Sequence, residues 1–315
     1  MTNSTFLLPF RDDLGFCNIL LSALGGDGAN MGAKLLFKVG CEAFGLDGGY
    51  DARYGSEKKG TPTDVSVRFC EPGTPVRQSG PTNRPHFLVV FHADLIAPLE
   101  LWRGLHDGAV CIVNTPQSPA ATRETLRLHR GRVVCVDGTR IAYESKSRLN
   151  MPLIAALCHE FGLPDAQMRE YVASAWPNVA ASNLSAMGRA IAEAVRAGFD
   201  VDERFVRAGP KPTRGAIGWR NMLNGGVIDA RTHSTIGRDN RVAGRGRVPH
   251  FEPAACNSCG ICLTVCSDPG GLLWREGRMA GIDPLFCKGC MRCVEVCPTT
   301  KKGHALSVVE AAGKD

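Results

Sequence analysis

Eight of the fourteen cysteines in this chain of 315 residues lie between Cys256 and Cys297, in two copies of one spacing. Cys256, Cys259, Cys262 and Cys266 form C-x2-C-x2-C-x3-C, and Cys287, Cys290, Cys293 and Cys297 repeat it 31 residues later. No stretch of apolar periodicity constrains a backbone as tightly. Three closely spaced thiolates wrap one inorganic body in a tight loop, and the fourth ligand arrives from elsewhere. A [4Fe–4S] cubane needs one thiolate per iron, and in two-cluster ferredoxins the last cysteine of each run serves the other cluster. The spacing therefore predicts one cluster on Cys256, Cys259, Cys262 and Cys297, and a second on Cys287, Cys290, Cys293 and Cys266. Zinc is the competing ligand, but its ribbons use C-x2-C pairs, and a third cysteine in each run leaves it with surplus donors. Pro298 follows Cys297 as the ferredoxin pattern prefers, whereas Ser267 and Asp268 separate Cys266 from Pro269.

The other six cysteines, Cys17, Cys41, Cys70, Cys111, Cys135 and Cys158, are scattered and read as small buried hydrophobes. A secreted disulfide scaffold does not suit so long a chain with its thiols in ligand spacing. Cys158 and His159 are adjacent, and neighbours in a helix point apart, so they form no thiolate pair.

Hydrophobic content of 44% and charged content of 22% are those of a globular protein of about two domains. No apolar run approaches the roughly 18 residues that cross a bilayer. The apolar stretch Phe6–Phe10 is short and lacks a basic flank, so a signal peptide is not expected, and the cytoplasm is.

Residues 1–200 alternate strand-like and helix-like segments. Asn18–Ala23, Phe87–Phe91, Ala109–Val113 and Val133–Val136 are apolar runs typical of central parallel strands, and Thr63–Cys70 alternates like a strand with one less buried face. Helical patterns are expected over Ala29–Phe44, Leu95–Leu105 and Ala120–Leu128, and throughout from Asn150 to about Ala197. The expected fold is α/β, a Rossmann-like mainly parallel sheet, followed by an α+β two-cluster module of bacterial ferredoxin type over residues 251–315. Residues 201–250 join them as an extended connector. They carry ten Arg and Lys against four Asp and Glu, which accounts for the whole formal net charge of +6. Interleaved aromatics and a nucleic-acid-binding fold are lacking there, so docking onto a partner subunit is expected rather than nucleic acid.

The turn Gly25-Gly26-Asp27-Gly28-Ala29-Asn30-Met31-Gly32 joins the first strand to the first helix. Met31 takes the last glycine position of a G-x-G-x-x-G fingerprint, so a nicotinamide site is disfavoured against tight strand-to-helix packing. Gly26-Asp27-Gly28 also opens like a thiamine diphosphate motif, but residues 31–60 contain no Asn to complete it. His86, His92 and His106 flank the expected strands and receive no role, and no catalytic residue is assigned. Lys288, Arg292, Lys301 and Lys302 lie near the second cysteine run, either as a solvated face or as charges that raise the cluster potential or meet an acidic ferredoxin.

Taken together, SALGGDG, Tyr54-Gly55-Ser56-Glu57-Lys58-Lys59-Gly60 and the run IDPLFCKGCMRCVEVCP resemble a fused γ and δ subunit of the 2-oxoacid:ferredoxin oxidoreductases. The first is similar to the family's G-x-G-G-Q-G with Asp27 for Gln, and the second to Y-G-x-E-R-R-G with lysines for both arginines. The resemblance implies a γ-type domain over 1–200 and a δ-type domain over 251–315. It implies α- and β-type partner subunits holding thiamine diphosphate and magnesium, an external ferredoxin as electron acceptor, and a dimer of heterotrimers. Asp27 and the paired lysines depart from the pattern where coenzyme-A-dependent members accept that thiol, and the fused arrangement looks most like the oxalate-cleaving branch. A pyruvate-type complex using coenzyme A, a free-standing electron carrier and a nicotinamide-linked oxidoreductase are the alternatives.

Overall fold

A computed structural model of the chain describes residues 6–53, 61–77, 80–205, 209–210, 247–267, 269–284, 286–301 and 304–310. It divides into two compact units, Met1–Lys211 and Pro212–Asp315. Of the expected basic connector, residues 206–208 and 211–246 lie outside the described residues, as do 54–60, which hold YGSEKKG.

The first unit is built on a seven-stranded sheet. Its strands are β1 (Cys17–Leu24), β2 (Asp47–Arg53), β3 (Pro62–Cys70), β4 (Phe87–Val90), β5 (Val110–Asn114), β6 (Gly131–Val136) and β7 (Val195–Phe199), in the order β2-β3-β1-β4-β5-β6-β7. β1, β4, β5 and β6 pair in parallel, β2–β3 and β3–β1 pair antiparallel, and β7 runs antiparallel to β6. β2 thus shares the direction of the four parallel strands, so the sheet is mainly parallel as expected.

Helix α1 (Ala29–Phe44) matches its expected bounds and buries Ala29, Gly32, Ala33, Leu36, Val39 and Gly40, the three-and-four spacing of one helical face. Gly45 ends it at φ 63, a left-handed position that suits glycine. Helix α2 (Pro119–Leu126) begins under a Ser118 cap, whose hydroxyl accepts from the Ala121 amide. Short α3 (Gly138–Glu144) is capped the same way by Asp137. Helix α4 (Asn150–Phe161) is apolar nearly all round and correspondingly buried. α5 (Asp165–Ala175) and α6 (Ala180–Glu193) complete the layer. The core joins Ile19, Leu21, Phe69, Phe87, Val89 and Ile112 of the sheet to Leu36 of α1, Leu153 and Phe161 of α4 and Met187 of α6. Each such side chain contributes roughly 1.5–3 kcal/mol by leaving water.

Three sequence expectations need correction. Leu95–Leu105 is not a helix: a single turn spans Ala93–Leu95 and irregular turns follow. Pro98 has no amide hydrogen to offer a helix, and Glu100 (φ 48) and Gly104 (φ 77) leave helical backbone, yet Leu95, Ile96, Leu101 and Leu105 are all buried. The helical stretch from Asn150 stops at Glu193, and Val195–Phe199 forms the edge strand β7. β3 has no exposed face, because Gly80 and Thr82 cover it: Arg68 donates to the Gly80 carbonyl at 2.7 Å and the Thr82 amide donates to Ser66 at 3.0 Å.

The second unit is small. β8 (Arg247–Phe251) pairs antiparallel with β11 (Leu306–Glu310), and β9 (Leu272–Arg275) with β10 (Arg278–Ile282). Two short helices, α7 (Ile261–Val265) and α8 (Arg292–Glu295), each follow one cysteine loop. Among the described residues no helix is long and apolar enough to cross a membrane.

Candidate metal centres

The two cysteine runs adopt one backbone conformation. Two residues after the first cysteine of each run the chain is left-handed, at Ser258 (φ 55) and Gly289 (φ 67), and again two residues later at Gly260 (φ 79) and Met291 (φ 63). Gly260 and Met291 then cap α7 and α8, which carry Cys262 and Cys293. Left-handed turns of this kind rotate successive amides inward, forming a concavity that favours negative charge. The Ser258 amide donates to Cys256 Sγ at 3.3 Å.

Cys256, Cys259, Cys262 and Cys297 line a common cavity with Trp274, Met279 and Thr299. Thr299 Oγ1 lies 3.1 Å from Cys297 Sγ. Cys293 stands close enough to Cys287, Cys290 and Cys266 for their charges to act on it. The last cysteine of each run therefore sits with the first three of the other. Burial and those neighbouring thiols push Cys293 up to about 12, and burial raises Cys262 in the same direction. Protonated thiols packed this tightly become thiolates only when a cationic centre offsets their charge.

Among the described residues no group of three His, Cys, Asp or Glu side chains meets as a single ion requires. A cubane spreads its four thiolates around a larger body, and the paired loops and the cavity suit that shape. One further atom fits it: the indole Nε1 of Trp274 is buried without a hydrogen-bond partner among the described residues. Sequence reasoning missed Trp274 and Thr299, and it left Lys288 open between a solvated face and a charge that tunes the second cluster or meets a ferredoxin. Lys288 is in fact buried, only 5% exposed, inside the second loop.

The glycine turn of the first unit is occupied by its own side chains. Asp27 accepts from the Leu24 amide at 3.2 Å, and the Nε2–H of His92, just beyond β4, donates to the same carboxylate at 2.6 Å. A Cβ on Gly28 would stand 2.9 Å from the Asn150 side chain, and one on Gly32 2.6 Å from Ile154. Asn150 also donates to the Gly28 carbonyl at 3.2 Å. These glycines let α1 approach α4, a helix-to-helix contact where strand-to-helix packing was expected. His86 is buried with its Nδ1 accepting from the Asn18 amide at 2.9 Å, and Phe10 stacks on its ring. His106 bonds the Asp107 carbonyl at 2.8 Å. Of the scattered cysteines, five are buried and Cys41 is half-buried. Burial pushes Cys111 up to about 12 and raises Cys17 and Cys158 further, as inert core thiols require.

A parallel-sheet unit followed by two crossed cysteine quartets defines an iron–sulfur protein with a separate α/β domain. Residues 18–193 match the family of pyruvate ferredoxin/flavodoxin oxidoreductases, and residues 249–307 match the 4Fe-4S dicluster domain. The chain belongs to that oxidoreductase family and carries a dicluster domain at its C-terminal side. Over 126 residues it is 32% identical to the pyruvate/ketoisovalerate oxidoreductases common subunit gamma of Thermococcus kodakarensis, covering 38% of this chain and 63% of that protein. Over 127 residues it is 28% identical to pyruvate synthase subunit PorC of Methanosarcina barkeri, covering 40% of this chain and 66% of that one. The chain thus spans just under two thirds of the length of these relatives. The crystal structure of pyruvate oxidoreductase subunit PORC from Thermotoga maritima shares the fold, with a TM-score of 0.51 at 22% identity over 58% of this chain and 99% of that one.

Proposed function

We propose that this chain is the electron-transfer subunit of a cytoplasmic, thiamine-diphosphate-dependent 2-oxoacid:ferredoxin oxidoreductase, three-part in organisation (1–200, 201–250, 251–315). The observation that carries the reading is the pair of cysteine loops of matching backbone conformation, with Cys297 lining the cavity of the first loop and Cys266 near Cys293 of the second. Cys256, Cys259, Cys262 and Cys297 would hold one [4Fe–4S] cluster, and Cys287, Cys290, Cys293 and Cys266 the other. Cubane clusters supply one-electron steps, so electrons released in pairs by substrate cleavage leave singly. The chain's own residues bind each cluster, shield it from water and set its potential. Lys288, buried and next in sequence to Cys287, would favour the reduced state of the second cluster, because positive charge nearby stabilises added negative charge. Among the described residues of the α/β unit, the buried thiols are inert and Asp27 and His92 are taken up by each other, which supports a non-catalytic role for it. Catalysis belongs to α- and β-type partners carrying thiamine diphosphate and magnesium, in a dimer of heterotrimers that passes electrons to an external ferredoxin.

Oxalate is the substrate favoured by the fused arrangement, by Asp27 in the glycine turn and by the lysines of YGSEKKG. Its cleavage yields two molecules of carbon dioxide and two electrons, and it has no acyl group to pass to coenzyme A. A second reading, pyruvate with coenzyme A, draws on the names of the relatives. Dye-coupled electron release by the complex, purified without oxygen and offered oxalate, pyruvate and 2-oxoglutarate with and without coenzyme A, separates the two. Reduction by oxalate alone supports the first reading. Reduction by pyruvate only with coenzyme A supports the second. Failure of every substrate together with a lone, monomeric chain would leave a free-standing carrier.

A further inference from the structure

Trp274 is the one tryptophan between residues 247 and 315. It lies on β9 directly across from Met279 of β10, and cross-strand partners project from the same face of a hairpin. Met279 is buried with its sulfur 3.8 Å from Cys262 Sγ. The far edge of the indole lies 3.9 Å from the point where a Cβ on Gly260 would stand, so the ring crosses the loop between Cys259 and Cys262. Both side chains line the cavity shared by Cys256, Cys259, Cys262 and Cys297. Indole nitrogen can only donate, and the Trp274 Nε1–H is buried with no acceptor among the described residues. Leaving such a donor unpaired is costly, and a native fold has an explanation for it when it occurs.

We infer that Trp274 is a positioning and tuning residue for the first cluster, its Nε1–H donating to a sulfur of the cubane held by Cys256, Cys259, Cys262 and Cys297. The inference rests on the iron–sulfur reading above. Sulfur becomes a better acceptor as the cluster gains an electron, so the bond holds the reduced state more firmly than the oxidised one. The donor therefore raises the potential of the first cluster. The second run has no tryptophan to match it, so this donor distinguishes the first cluster from the second.

The test is an EPR-monitored redox titration of the full complex carrying Trp274→Phe, with iron content measured alongside. Phe keeps the ring and removes the donor. The expected result is unchanged iron and a fall in one cluster's reduction equilibrium of roughly tenfold, about 59 mV for a one-electron couple. A proton coupling to that cluster that exchanges in deuterated water should also vanish. Should the Phe variant lose iron, benzothienylalanine at position 274 keeps the bicyclic shape with sulfur in place of N–H, and the same shift is expected. Unchanged potentials and an unchanged exchangeable proton, with iron intact, would overturn the inference alone. A native chain that holds zinc and no iron would instead overturn the reading on which it rests.

Discussion

The two units of this chain solve the problem of burial in opposite ways. The α/β unit closes around an apolar core in which Phe69, Phe87, Phe161, Leu21 and Leu36 are fully removed from water. The cysteine-rich unit buries Cys262, Leu272, Met279, Cys293 and Leu306, and two of those five are thiols at expected ligand positions. Its exposed apolar side chains include Ile261, Leu263, Val308 and Val309. Below about 70–80 residues a core rarely stabilises a fold by itself, and a bound metal centre commonly supplies the rest. The first unit thus folds around its own apolar side chains, whereas folding and electron transfer are inseparable in the second.

Stripping the iron sharpens the contrast most. Chelation or oxidation of the full chain should abolish the fold of the second unit, seen as lost amide protection across residues 247–310, while the first unit keeps its thermal transition. Loss of both transitions together would show that the units are not independent in this way.

Gly32→Ala probes the other side. The added methyl would stand 2.6 Å from Ile154 Cγ1 and must displace it, at a cost of about 1–3 kcal/mol typical of overpacking. The denaturation midpoint of the first unit should fall, iron content should not change, and Ile154→Ala in the same chain should recover part of the loss.

The smallest effect expected is one of pH. Burial, helped by His106, pushes His86 down to about 4 from its ordinary 6.5. Between those values the unfolded chain holds a proton that the folded chain does not, so stability rises with pH across the window. His86 therefore contributes fully above pH 6.5, and its contribution is lost as pH falls toward 4. His86→Asn, which keeps an acceptor for the Asn18 amide, should flatten the melting temperature of the first unit across that range relative to the native chain.

How much of this was legible in the sequence follows from what each element depends on. β1, β4, β5 and β6 are continuous apolar runs because both faces are covered, and α1 shows its buried stripe in its spacing. β2 and β7 left no such mark. They are edge strands, partly exposed and carrying glycine, and they are held by backbone pairing with β3 and β6. Leu95–Leu105 carries an apolar pattern that the core uses without a helix, since buried turns satisfy the same spacing. The eight clustered cysteines announce themselves by spacing alone. Trp274 does not, because its place over the first loop is fixed by hairpin register, which no local pattern records. The same holds for Asp27 and His92, which are 65 residues apart and meet only because β1 and β4 lie side by side.

Two cubanes in the second unit are tested most directly by iron and acid-labile sulfide per chain in the complex purified without oxygen, with Mössbauer spectra of the same sample. About eight irons and eight sulfides per chain, all in [4Fe–4S] form, is the predicted result. Zinc in tetrahedral thiolate sites, with neither iron nor sulfide, would contradict it.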